Sequence, residues 1–163
     1  MMRLIVLRHA KSAWDTDAPT DHARPLNQRG QRDAPRIGAK LAEMGWVPDA
    51  VLSSDAARTR ETWARMAAHI APEQTIPVTV ARRLYHAGPE TVMPLLAGQP
   101  ATRETVMVIG HNPGLEALLE ALCGQAARLT TCNAALMTST ATDWTTAMSD
   151  RWILHHLLRP KEI

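Results

Sequence analysis

Three short segments, far apart along the chain, carry side chains that have little use in a protein core. Arg8-His9-Ala10 follows one apolar run, Ser53-Ser54 leads to Arg58, and Gly110-His111-Asn112-Pro113-Gly114 follows another apolar run. When such runs are strands of one open α/β sheet, all three segments fall outside strand carboxyl ends, where these sheets bind ligands. Two histidines and at least two arginines converging there repel one another unless an anion lies among them, and a phosphate dianion supplies that charge. Arg8 and Arg58 each offer a planar donor fork that matches phosphate oxygens, and Arg24, in Arg24-Pro25-Leu26, is a candidate third clamp. Neutral imidazole is a competent nucleophile toward phosphorus when one ring nitrogen is held by a hydrogen bond and the other faces the substrate; His9 is expected in that role. His111 is expected at a strand-to-helix junction, with Asn112 as helix N-cap and Pro113 in the first helical position. Free N–H groups at that helix start would favour an anion beside His111.

The elements that must position these groups alternate in type. Residues 3–8, with Leu4, Ile5, Val6 and Leu7, predict a strand buried on both faces, and 50–52 and 106–109 predict two more. Helical patterns occupy 27–44, 56–70 and 114–122, with a further helix at 89–97, and 134–138 and 152–158 are expected as late strands. Strands alternating with helices imply an α/β fold of three α/β/α layers around a mostly parallel central sheet. Residues 11–28 are polar, contain Pro19 and Pro25, and are expected as a long loop over one sheet end.

Bulk properties narrow the function classes. A chain of 163 residues, 45% hydrophobic, suits one domain spanning 1–163, and no repeat or low-complexity linker divides it. A net charge of +2 is too small for a nucleic-acid or polyanion-coating surface, so anion binding by arginine must be local. Cys123 and Cys132 form no CxxC spacing and suit a reducing compartment; no stretch approaches the roughly 18 apolar residues of a membrane span. A cytoplasmic protein with no membrane or nucleic-acid partner is expected. No GxxxxGK[ST], HExxH or GxGxxG occurs, and the spacing from Cys123 to Arg128 is one residue short of a cysteine phosphatase loop.

Taken together, Leu7-Arg8-His9-Ala10-Lys11, Arg24-Pro25-Leu26 followed by Gly30, Ser53-Ser54-Asp55-Ala56-Ala57-Arg58 with Thr62, and Gly110-His111-Asn112-Pro113 resemble the histidine phosphatase superfamily. The similarity runs from Arg3 to about Leu122, and the short chain is most similar to the SixA branch of protein-histidine phosphatases. The resemblance implies the phosphoglycerate mutase-like fold without a large helical lid insertion. It also implies transient phosphorylation of His9, phosphoryl binding by Arg8 and Arg58, donation from His111, and Arg24 as the extra phosphate-contacting arginine of the branch. No metal or other cofactor is implied. Expected partners are a phosphorylated protein or a small phosphorylated substrate, with inorganic phosphate as product.

The chain departs from larger relatives at the acid. They carry a Glu or Asp two residues after a leucine, where Arg83-Leu84-Tyr85-His86 places His86. His86 is therefore a candidate proton donor, with Asp15, Asp17 and Glu90 as loop carboxylates within conceivable reach. A missing carboxylate favours a phosphoramidate, whose P–N bond breaks more readily than an ester bond. Each residue alone also has an ordinary explanation: Arg58 pairing with Asp55 or Glu61, Arg24 pairing with Asp21, His86 as a plain loop residue. Occurrence of all the segments in order outweighs the first two readings, while for His86 the loop reading is the expected one. His22 and His69 are expected on the surface, His155 and His156 on opposite faces of a strand, and Trp14 in the loop beside the site. The function expected is a metal-independent phosphatase acting on phosphohistidine in a partner protein. The alternatives are a small-molecule phosphomonoesterase and a non-hydrolytic phosphate-recognition or regulatory module.

Overall fold

The computed structural model describes residues 1–163. Strand β1 (Met2–Arg8) lies inside a six-stranded sheet in which β4 (Thr105–Gly110), β2 (Ala50–Ser54) and β3 (Val78–Ala81) extend in parallel on one side. On the other side β5 (Ala134–Ser139) runs antiparallel to β1, and β6 (Ile153–Leu158) antiparallel to β5. The sheet is thus mixed but mostly parallel.

Alternation along β1 builds two cores at once. Ile5 and Leu7 face one layer, with Ile37 and Leu41 of α1 (Gln28–Glu43) and Met66 and Ile70 of α2 (Ala57–Ile70). Leu4 and Val6 face the other, with Val92 and Leu96 of α3 (Pro89–Ala97), Leu118 and Leu122 of α4 (Gly114–Cys123), and Trp144 of the short α5 (Trp144–Ala147). A strand buried on both faces has no room for polar residues until it ends, which is why Arg8 and His9 emerge together at its carboxyl end.

Element types agree with the sequence patterns, and most boundaries fall within a residue or two. The differences have local causes. Asn112 does not cap α4: Pro113 occupies the cap position, the Asn112–Pro113 peptide is cis, and Asn112 Nδ2 donates to Leu129 O at 2.7 Å. Trp152 lies outside β6 because its indole packs on Trp144, with ring centroids 5.9 Å apart. A β-bulge opposite Leu136 and Met137 interrupts the alternation of β6, and His155 and His156 are both exposed rather than sorted to opposite faces. Strand β3 escapes the periodicity because it is an edge whose Val78, Thr79 and Val80 are exposed.

Two glycines let the layers close around the site. A Cβ on Gly30 of α1 would lie 2.2 Å from Lys11 O, and one on Gly114 of α4 would lie 1.8 Å from Ala87 O. The second contact seats the turn holding Tyr85 and His86 against the end of β4. Gly114→Ala is expected to push that turn away and cost about 1–3 kcal/mol, the usual penalty of overpacking. Chemical denaturation of the variant checks this; an unchanged midpoint contradicts it.

Candidate active site

The carboxyl ends of β1, β2 and β4 converge on a pocket of about 230 Å³ whose walls include Arg8, His9, Arg24, Arg58, His86 and His111. The arginines and histidines singled out from the sequence for phosphate chemistry meet there.

His9 is buried, and its Nδ1 lies 2.7 Å from the Ala10 carbonyl oxygen. A carbonyl only accepts, so Nδ1 carries the proton and Nε2 keeps its lone pair. Arg58 Nε donates to that Nε2 at 3.3 Å. The backbone beside it is held from α2: Ala10 N donates to Thr62 Oγ1 at 2.9 Å, and that hydroxyl donates to Arg58 O at 2.7 Å.

His111, at the end of β4, stands with its ring centroid 5.3 Å from that of His9. Its Nε2 lies 2.8 Å from Ser54 Oγ, which already accepts from Ala56 N at 3.1 Å. With the hydroxyl proton directed to His111 Nε2, the proton of His111 sits on Nδ1, a buried atom with no protein partner. Arg8 Nε is likewise buried and unpartnered, while Arg8 Nη1 donates to Leu129 O at 3.0 Å. Arg8 and His111 thus each bring a buried, unpartnered nitrogen to the pocket that His9 also lines, where an oxyanion could be met.

The anion that offsets these cations within the protein is Asp21. Its carboxylate accepts from Arg58 Nη2 at 3.0 Å and from Arg24 Nε at 3.1 Å, also from the Tyr85 hydroxyl, and lies 3.5 Å from His86 Nε2. Arg58 Nη1 adds a bond to the Asp21 carbonyl at 2.8 Å. Arg58 therefore pairs with neither Asp55 nor Glu61, which are engaged by His22 and Arg65. Arg24 makes the expected pair with Asp21, donates to Ser12 Oγ at 2.8 Å, and lies 3.6 Å beneath the centroid of the exposed Trp14 ring.

His86 occupies a loop in the left-handed region, φ 56°, with its ring 4.8 Å from that of His111, so it belongs to both the loop and the pocket wall. Asp15, Asp17 and Glu90 do not line the pocket; the nearby carboxylate is Asp21, which the sequence reading treats only as a partner of Arg24. His22 is not a plain surface residue: its Nε2 lies 2.7 Å from Asp55 Oδ1 and its ring meets Tyr85 edge-on. Tyr85 itself gives no sequence signal beyond its place before His86. No group of three or more His, Cys, Asp or Glu side chains is arranged as metal ligands.

Burial dominates the electrostatics. It pushes His9 down to about 3, the Ala10 carbonyl opposing and Arg58, Arg8 and Arg24 adding to the effect. Burial also lowers His111 to about 2, aided by His9, Arg58 and His86. Both rings are neutral near pH 7. The Tyr85 hydroxyl, followed by Arg24 and Arg58, holds the Asp21 carboxyl well below the ordinary carboxylate range.

Comparison with known proteins agrees with this architecture. Residues 4–86 match the histidine phosphatase superfamily (branch 1). A chloroplastic protein of Arabidopsis thaliana, itself uncharacterised, is 36% identical over 97% of this chain and 78% of its own. The chain belongs to the histidine phosphatase superfamily. The crystal structure of SixA from Agrobacterium tumefaciens, assigned as a phosphohistidine phosphatase, is 32% identical with a TM-score of 0.82 over 98% of both chains. That of SixA from Nakamurella multipartitia, assigned likewise, is 27% identical with a TM-score of 0.85 over 98% of this chain and 96% of that one. Within the superfamily, the chain is of the SixA type. No helix is long and apolar enough to cross a membrane.

A pH dependence follows from the two histidines. Their folded values lie below the unfolded value of about 6.5, so below that pH the unfolded chain takes up protons that the folded chain refuses. Stability present above pH 6.5 is lost as pH falls toward about 3. Urea unfolding at a series of pH values is expected to show a loss on the order of 2–4 kcal/mol between about pH 6.5 and 4.5, with the slope roughly halved in His111→Asn. A flat profile contradicts it.

Proposed function

We propose that this protein is a phosphatase that carries the phosphoryl group on His9 and takes it from phosphohistidine in a partner protein. The observation that carries the reading is the His9 ring, with Nδ1 locked onto the Ala10 carbonyl and a neutral Nε2 facing the arginine-lined pocket. In the first step Nε2 attacks phosphorus, a new N–P bond forms, the substrate's P–N bond breaks, and the departing imidazole is protonated from solvent. In the second, water attacks the phosphohistidine, the His9–phosphorus bond breaks, and inorganic phosphate leaves. Arg8, Arg58 and Arg24 and the Nδ1–H of His111 stabilise the equatorial oxygens in both steps, the positioning and charge stabilisation that phosphoryl transfer chiefly needs. Every charge in this scheme is met by side chains of the chain itself, which makes the reaction metal-independent.

Substrate class follows from protons. Asp21 is held ionised and His111 neutral, so neither is a ready acid for an alkoxide leaving group. A P–N bond makes a smaller demand. Arg8 and Asn112 also line a wider adjoining groove of about 780 Å³ between α4 and residues 126–129, which suits a protein segment as leaving group. The SixA relatives point the same way. A phosphomonoesterase would need His86 as its acid, and a recognition module would have no use for an oriented, unprotonated Nε2.

The test offers a phosphohistidine-bearing protein domain, a simple phosphoramidate and a panel of phosphomonoesters, all in EDTA. Cleavage of P–N substrates is expected to exceed that of every monoester by at least about tenfold, and His9→Ala to lower it by about a thousandfold or more, as loss of a nucleophile does. Faster hydrolysis of one monoester moves the substrate to a metabolite; activity retained in His9→Ala removes the mechanism.

A further inference from the structure

Beside the candidate active site lies a second pocket, of about 330 Å³, that the proposed chemistry does not use. Its size falls within the range of about 300–1,000 Å³ typical of small-molecule sites, but its walls are unlike theirs. Apart from Pro160, every lining residue is polar or charged. Arg29, Arg32 and Arg36 reach it from successive turns of one face of α1, and Arg159 and Lys161 from the segment after β6. The only carboxylate in the wall is the buried Asp33, shared among three guanidinium groups at 4.0, 3.4 and 3.5 Å. Arg36 also donates to the Ile163 oxygen at 2.8 Å, and Arg159 lies 3.5 Å from Glu162. Arg32 has no partner but Asp33, and Lys161 has none.

Asn133 adds an independent observation. It belongs to the same wall, is fully buried, and has both Nδ2 and Oδ1 without a hydrogen-bond partner. A buried amide donor beside excess guanidinium groups is what an oxyanion would satisfy. The residues between the two pockets are shared: Thr131 lines both, Arg29 Nη2 donates to its hydroxyl at 3.2 Å, and Cys132 N donates to His9 O at 3.0 Å.

We propose that this pocket is a second anion site that takes the di- or triphosphate group of a small ligand, separate from the phosphoryl site at His9. Guanidinium forks from α1 and from the segment after β6 match a chain of phosphates, and Asn133 belongs to the same wall. An acidic protein surface would meet the exposed arginine tips of α1 without entering.

The probe is inorganic tripolyphosphate, titrated calorimetrically into the full chain in excess orthovanadate to fill the His9 pocket. One binding event is expected to persist, weakened roughly tenfold or more in the double variant Arg32→Glu/Lys161→Glu, where like charge replaces opposite charge. Both residues are exposed. Phosphoramidate turnover and the thermal midpoint of the variant are expected to stay at the values of the unaltered chain, and Arg32→Gln/Lys161→Gln to weaken binding by a smaller factor. No vanadate-insensitive binding, or equal affinity in chain and double variant, overturns the proposal. A short poly-glutamate peptide that binds as tightly as tripolyphosphate also overturns it, by making the feature a protein-docking surface. Turnover is read on vanadate-free portions of the same preparations, so failure of this site and failure of the His9 chemistry are distinguished.

Discussion

The constraint on which the rest depends is the burial of positive charge and neutral imidazole at one end of one strand. Arg58 and His9 are almost wholly shielded from water and touch through Arg58 Nε and His9 Nε2. Such a pair is tolerable only if the imidazole is neutral and the guanidinium finds an anion. Burial provides the first condition and Asp21 the second. Both conditions leave Nε2 unprotonated in the pocket where Asp21 meets the arginines, and the proposed phosphoryl transfer rests on that arrangement.

The fold supplies this environment because β1 is central. Its two faces are filled by Leu4 and Val6 on one side and Ile5 and Leu7 on the other, leaving polar groups only beyond this apolar run, at Arg3 and at Arg8-His9. β4, parallel beside β1, and β2, parallel beside β4, bring His111 and Ser54 to the same level. Hydroxyls then set the fine geometry: Thr62 steadies the backbone after His9, and Ser54 hydrogen-bonds the His111 ring. Thr62 holds this backbone through the Ala10 amide, and the Ala10 side chain is fully buried.

Much of this was legible in the sequence because the decisive signals are local. Apolar runs ending in Arg-His or Gly-His mark strand ends, and the helical pattern over 27–44 matches α1, whose start the structure shows capped by Asn27 accepting from Gly30 N at 2.9 Å. What escaped has a common cause: it depends on how a loop folds back. Asp21, His22 and Tyr85 lie in irregular segments, and nothing in their spacing announces that Asp21 crosses to Arg58 or that His22 pairs with Asp55. The cap expected at Asn112 failed for a related reason, since its amide is drawn to Leu129, distant in sequence. The basic pocket beside Thr131 was hidden by the near-neutral total charge, which averages over a face where arginine collects.

The most direct measurement is to trap the intermediate. The protein is mixed with a labelled phosphoramidate, quenched in alkali within milliseconds to preserve phosphohistidine, digested, and analysed by mass spectrometry for the site and the ring nitrogen that carries phosphorus. The account predicts an alkali-stable, acid-labile phosphoryl group on Nε2 of His9 that forms and decays fast enough to account for turnover. Turnover with no phosphorylated His9, or a phosphoryl group on His111 or His86 instead, would contradict it.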